Sequence, residues 1–363
     1  MLSQSEKRKQ RSYSASFKYS LANTLFAVAA AFVIGILIML AIGADPFDTY
    51  YQMISQSLFT FDGLMRTLHV AAPLILTGLA IAVTFKANLF NMGVEGQMLL
   101  GGFCTAIVGS RFQNLPPFLH ILVCLLLAML CGMLFALIPA CLKAYYKVDE
   151  MVVTLMLNYA TVEILTFLSE GVFRDPTSGY VSTATIQDSA MFSKLFSSDL
   201  TSFFFIAILM FCIIYVVFKY TRLGLELKAL GQNVNFAEAT GMNVKKKIII
   251  LFLISGALSG LAGAGWMMSE KFRYTLSFSG NPGLGWDGML ISLLGAHSPL
   301  GVLIAAFFYS SLKVGMSKIE LFTNVPGEII SVIQAFMILF LSVTIFSLKK
   351  SQERKARKEQ LSR

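Results

Sequence analysis

The chain is poor in charge. Only 13% of its 363 residues are Asp, Glu, Lys or Arg, against about 25% in ordinary soluble domains, while 56% are hydrophobic. That balance excludes a water-soluble globular chain and calls for a bilayer. Cysteine is scarce and odd in number: Cys104, Cys124, Cys131, Cys141 and Cys212 each lie inside an apolar run, which excludes a secreted disulfide scaffold. The three histidines, His69, His120 and His297, are too scattered to suggest a metal site. No GxxxxGK[ST], HExxH or GxSxG occurs, so a self-contained NTPase, zincin or hydrolase is not indicated. Tryptophan is rare too, at 2 residues against 31 Phe and 12 Tyr, a balance that suits surface facing lipid.

What the chain does have is repeated apolar runs. Those long enough for about 30 Å of hydrocarbon fall at 22–43, 70–86, 119–142, 151–169, 201–218, 248–267 and 326–348, with shorter or interrupted runs near 97–111, 287–297 and 299–316. The reading is an all-α polytopic membrane protein of ten segments with both termini on one side. Placing the N-terminus inside puts 21 of the 29 basic residues on that side, a strong positive-inside bias. The net charge of +9 is therefore concentrated beside anionic lipid and gives no reason to expect nucleic acid. Three regions follow: a basic tail at 1–20, a transmembrane domain at 21–348 that includes a cytoplasmic connection at 219–247, and a second basic tail at 349–363. The first apolar run is about twenty residues, longer than a signal-peptide core, and reads as an uncleaved anchor.

Two places break the membrane pattern in the same way. One is Asn91-Met92-Gly93-Val94-Glu95-Gly96-Gln97-Met98-Leu99-Leu100, the other Gly283-Leu284-Gly285-Trp286-Asp287-Gly288-Met289-Leu290. Each holds Gly-X-carboxylate-Gly followed by Met-Leu and a short apolar helix. In the ten-segment topology the two helices run in opposite directions across the bilayer. Similar sequence in opposite orientation is the mark of inverted repeats, and Gly-interrupted short segments at matching positions point to a transport site near the midplane. The spacing predicts Glu95 and Asp287 just before the two half-helix N-termini, either satisfying freed N–H groups or contacting cargo.

The span at 151–169 sets Thr154, Asn158, Thr161 and Leu165 on one helix face, which predicts an interior helix. Asn158 is a candidate pathway residue, with interhelical hydrogen bonding as the alternative. Tyr159 and Glu163 share a second face, and Glu163 is expected to pair with a Tyr or Lys. In the cytoplasmic connection, Asn235-Phe236-Ala237-Glu238 has the form of a capping box and Gly241 supplies a stop, predicting a short helix over Phe236–Thr240. A helix so short is marginal alone, so a docking partner or packing on its own span ends must hold it.

At these residues the chain resembles a permease subunit of the ATP-binding-cassette importers, in the group that handles branched-chain amino acids, ribose-type sugars and nucleosides. The segment Asn91 to Leu99 is similar to that group's most specific motif. Lys228 to Asn233, Ala237 to Gly241 and Ser255 to Gly263 resemble its coupling loop and following span, with Thr240 where Ala is commoner. Glu150 to Tyr159 and Gly285-Trp286-Asp287-Gly288 resemble the nucleoside branch. The likeness covers roughly 65–345; the polar stretch 170–200 has no counterpart in it.

The resemblance implies a non-enzymatic subunit of a bacterial plasma-membrane importer. It implies no cofactor in this chain, with ATP and Mg held by separate ATP-binding subunits, a second permease subunit, identical or related, and an extracellular substrate-binding lipoprotein. Read from the residues themselves, Phe90 and Trp286 flank the two breaks as candidates to stack a base, with an ordinary interface aromatic as the alternative for Trp286; Asn158, Gln97, Glu95 and Asp287 are candidates to take hydroxyls or base edges, and Asn91 is a candidate pathway residue. Gly231, Asn235, Ala237, Glu238, Ala239 and Gly241 would form the coupling segment. A pentose-type sugar is the alternative cargo, and an ion-coupled secondary transporter the alternative class.

Overall fold

The computed structural model describes residues 29–41, 43, 45–112, 115–275, 283–319, 332, 335 and 336. The chain divides into two units, residues 1–60 with 312–363, and Phe61–Ser311. In the first, α1 (Ala29–Ala41) precedes α2 (Pro46–Ile54), which runs on as a π-turn over Ser55–Phe59. Asp45 caps α2 by accepting from the Phe47 and Asp48 amides at 2.9 and 3.3 Å. The Tyr50 hydroxyl donates to the Phe32 carbonyl of α1 at 3.1 Å.

The second unit holds α3 (Phe61–Phe85), α4 (Val94–Arg111), α5 (Pro117–Tyr146), α6 (Glu150–Glu170), α7 (Phe203–Tyr220), α8 (Arg222–Gln232) and α9 (Val234–Ala239). It continues with α10 (Val244–Trp266), prolonged by a π-turn over Met267–Lys271, then α11 (Leu284–Leu294) and α12 (Pro299–Ile319), whose last residues belong to the first unit. Among the described residues there is no strand, only the isolated bridges Ser182–Thr275 and Lys194–Thr201. Six helices there are long and apolar enough to cross a membrane: α3, α5, α6, α7, α10 with its π-turn, and α12. Apart from residues 332, 335 and 336, the expected span at 326–348 lies outside the described residues, as do both basic tails.

Helix α10 is the hub, packed against α3, α4 and α5. Its centre, Ser255 to Gly265, is almost all Gly, Ala and Ser, and small residues let helix backbones approach closely without a hydrophobic driving force. A Cβ built on Gly260 would fall on the Ala128 carbonyl of α5, and one on Gly101 of α4 would fall on the Gly260 backbone. The outer face of α5 instead exposes Leu122, Leu126, Leu130 and Leu134, one per turn, the pattern of a helix wetted by lipid on one side.

Helix α6 buries Thr154, Asn158, Thr161 and Leu165 on one face, as the spacing predicts. Its opposite face exposes Met156, Tyr159 and Glu163. Among the described residues Glu163 makes no ion pair, and it stands exposed on the face opposite the buried one.

The segment between α6 and α7 lies across the ends of α4 and α10. Gln187 donates its amide to the Gly109 carbonyl at 2.8 Å, Ile186 to Phe272 at 2.9 Å and Thr183 to Tyr274 at 2.9 Å. Nearby, the start of α3 meets the π-turn of α10 through charge. Glu270 accepts both guanidinium nitrogens of Arg66, at 2.8 and 2.6 Å, and lies 3.1 Å from His69 Nε2. The His69 ring lies 5.8 Å from that of Trp266.

Candidate functional site

The site is built from the connection between α3 and α4 outward. Helix α3 closes on itself through the amides of Ala87, Asn88 and Leu89, which return to Thr84, Phe85 and Thr84. Asn88 takes the left-handed conformation there, at φ 57°. Three residues on, the Asn91 side chain organises a turn: its Oδ1 accepts the Gly93 amide at 3.0 Å, and its Nδ2 reaches Ser255 Oγ of α10 at 2.9 Å and Gln97 Oε1 at 3.2 Å. Asn91 and Gln97 are fully buried and bonded to each other.

Helix α6 clamps this turn from the side. Met92 N–H donates to Thr154 Oγ1 at 3.1 Å, Asn158 Nδ2 donates to the Met92 carbonyl at 2.6 Å, and Asn158 Oδ1 accepts the Gly96 amide at 2.9 Å. One carboxamide therefore satisfies an acceptor and a donor that the helix start leaves unpaired. Asn158→Ala should orphan both, at about 1–3 kcal/mol each, and lower the melting temperature of the purified protein by several degrees. An unchanged melting curve would contradict the clamp.

The two Gly-X-carboxylate-Gly segments meet. Glu95, 2% exposed, accepts the amides of Gly283 at 3.1 Å and Gly285 at 2.5 Å, so the carboxylate from the first segment sits on the N-terminus of α11, which carries the second. Asp287 accepts the Tyr309 hydroxyl of α12 at 2.5 Å. The expectation that these carboxylates precede their helices is corrected. Glu95 is the second residue of α4 and Asp287 the fourth of α11. A first-turn carboxylate answers the positive end of its own helix, and the chain departs from helical geometry earlier, at the 86–93 connection.

The two candidate aromatics stand in different surroundings. The Phe90 ring packs on Phe85, with centroids 4.9 Å apart, so it already has an intramolecular partner, and Phe85 also meets His297 at 5.3 Å. Trp286 is half-buried in the first turn of α11. The Phe90 amide donates to Glu150 Oε1 at 3.2 Å, and Glu150 in turn pairs with Lys143 at 2.6 Å. The sequence pattern assigns no site role to Glu150 or Tyr309, since nothing linear ties Glu150 to the Phe90 amide or Tyr309 to Asp287.

On the α8–α9 side, the expected capping box is also corrected. Helix α9 spans Val234–Ala239 and its cap is Asn233, whose Oδ1 accepts the Phe236 amide at 3.0 Å. Asn233 stands the same three residues before its donor that a cap requires, which leaves Asn235 and Glu238 as exposed side chains. The stop is as expected: Gly241 adopts φ 84° and the Met242 amide returns to Ala237 at 3.2 Å. Ala237 is buried, while Val234, Phe236 and Ala239 are exposed. Gly231, at the end of α8, accepts the Asn88 side-chain amide at 3.0 Å. Lys86, just past α3, is pushed below the ordinary lysine value by burial and by the nearby Lys228 of α8.

Comparison with known proteins gives the family. The family described as branched-chain amino acid transport system / permease component matches residues 63–342. A nucleoside ABC transporter permease protein of Lactococcus lactis is 33% identical over 88% of this chain and 90% of its own length. A guanosine ABC transporter permease protein of Bacillus subtilis is 32% identical over 88% and 92%. A glucose ABC transporter permease protein of Haloferax volcanii is 32% identical over 88% and 86%. No solved structure matches significantly. With a family match over most of its length and relatives of this identity, the chain belongs to the permease components of the branched-chain amino acid transport system family.

Proposed function

We propose that this chain is the membrane-spanning subunit of an ATP-driven importer for nucleosides. The observation that carries the reading is Glu95 of one Gly-X-carboxylate-Gly segment seated on the N-terminal amides of the helix bearing the other. Two helices whose Gly-interrupted starts converge in this way support a transport site between repeats. On this reading the chain has ten segments as an inverted pair and both termini are cytoplasmic. The Gly-interrupted starts of α4 and α11 lie near the midplane. The relatives named for nucleosides and guanosine support the cargo, and the half-buried Trp286 supplies a ring face for a base.

The exposed Glu163 face of α6 supports a second permease subunit or the water-filled pathway beside it, because a carboxylate inside the bilayer avoids lipid. ATP and Mg belong to ATP-binding subunits that dock on the α8–α9 segment, and an extracellular lipoprotein delivers cargo. Glu95, Asp287, Asn91, Gln97 and Asn158 shape the site through the bonds described, leaving Trp286 and Phe90 as the aromatic groups offered to cargo.

Proteoliposomes holding this chain with its ATP-binding and second permease subunits test the proposal. ATP-dependent uptake of labelled guanosine, inhibited by uridine but not by excess ribose, is the expected result. Trp286→Ala should weaken uptake about tenfold at low cargo. A simple-sugar cargo is the second reading, favoured by the Haloferax volcanii relative named for glucose; competition by ribose together with full activity of Trp286→Ala would establish it. Uptake driven by an ion gradient without ATP would overturn the whole reading.

A further inference from the structure

We propose that Asn88 is the positioning residue that carries movement of the α8–α9 segment into the Glu95 site. The inference rests on the reading of α9 as the docking element for an ATP-binding subunit. Its physical basis is a choice of residue. Position 88 is the left-handed stop of α3, with φ 57° and the Leu89 amide returned to Thr84. Glycine is the residue such a stop favours, and asparagine is the next most tolerant of it. What asparagine adds is a donor, and that donor is in use: Asn88 Nδ2 reaches the Gly231 carbonyl at 3.0 Å.

Gly231 is one residue from the end of α8, and Asn233, two residues further on, is the cap of α9. The two strips of backbone also touch directly, since a Cβ built on Gly231 would fall on the Lys86 carbonyl. On the other side of Asn88 the chain is held at nearly every step. The Phe90 amide is bound by Glu150, Met92 by Thr154 and Asn158, Gly96 by Asn158, and Glu95 by the amides of α11. Displacement of the α8 end therefore meets a short, hydrogen-bonded path that ends on the N-terminus of α11. Among the described residues, Asn88 supplies the side-chain hydrogen bond between α8 and the 86–93 connection, and it is exposed, so it contributes little to burial.

Substitution at position 88 separates the donor from the backbone role. Asn88→Gly keeps or improves the helix stop and removes the donor; Asn88→Asp keeps size and left-handed tolerance and also removes it. Both variants are assembled with their partner subunits in proteoliposomes, and guanosine uptake and ATP hydrolysis are measured on the same vesicles. The expected result is wild-type retention of the ATP-binding subunit and wild-type hydrolysis, with cargo moved per ATP down about three- to tenfold, the size of one lost hydrogen bond. Wild-type uptake per ATP in Asn88→Gly overturns the proposal. So does a parallel loss of hydrolysis, uptake and folded protein, because that is what a purely structural residue would give. The underlying reading fails separately, and recognisably, if wild-type uptake does not need ATP.

Discussion

Gly260→Leu should leave no folded protein in the membrane. At that point α10 lies with its backbone against two other helices. A Cβ on Gly260 would meet the Ala128 carbonyl, one on Gly132 would meet the Gly256 carbonyl, and one on Gly101 would meet Gly260 itself. The obstacles are main-chain atoms, which cannot turn aside as a flexible side chain can. Overpacking where side chains can shift costs about 1–3 kcal/mol. Here a leucine forces α10 away from α4 and α5 together and breaks the contacts around the Ser255–Asn91 bond, so about 4–5 kcal/mol or more is expected. Size-exclusion of the detergent-solubilised protein reads the outcome, with Gly260→Ala as an intermediate. A monodisperse Gly260→Leu peak at wild-type yield would mean that these helices are not packed as described.

The second large effect is expected on the α8–α9 side. Helix α9 is six residues long, too short to hold itself in water, and it exposes Val234 and Phe236 beside the charged Glu238. An exposed aromatic on a capped short helix is suited to fill a pocket on a partner, where truncating such an anchor costs about 2 kcal/mol or more. Phe236→Glu should therefore release the ATP-binding subunit during co-purification and abolish cargo-stimulated ATP hydrolysis, while leaving the permease folded. Gly241→Val should do the same by another route. Its φ of 84° costs a β-branched residue about 1–2 kcal/mol, enough to unwind a helix with so little stability of its own. Full retention of the ATPase by both variants would make the segment a passive connector.

Sequence carried the local features of this architecture well and the distant ones poorly. The buried face of α6 is legible because Thr154, Asn158, Thr161 and Leu165 repeat at helical spacing. The two carboxylate segments are legible because they share letters. That Glu95 would cap the other segment's helix is not, since nothing in a linear pattern says which N-terminus 188 residues away its oxygens will find. The Arg66–Glu270–His69 cluster is hidden for the same reason. The error in the α9 cap has a simpler cause: Asn233 and Asn235 both stand three residues before a usable amide, and only the fold decides between them. The stretch at 170–200 carried no period at all, because it is held by main-chain bonds to Gly109, Phe272 and Tyr274 and by single side-chain bonds of Thr183 and Ser189, none of which repeats at a helix or strand spacing.

The scarcity of tryptophan has a practical side. The chain has two, and they stand in contrasting places. Trp266 is buried deep in α10 against the His69 ring, and Trp286 is half-buried in the turn that Glu95 caps. Their ultraviolet emission should differ accordingly, with that of the more exposed Trp286 at longer wavelength. Trp266→Phe leaves one tryptophan, on the first turn of α11, so that under excitation selective for indole the chain reports optically on that turn without a label.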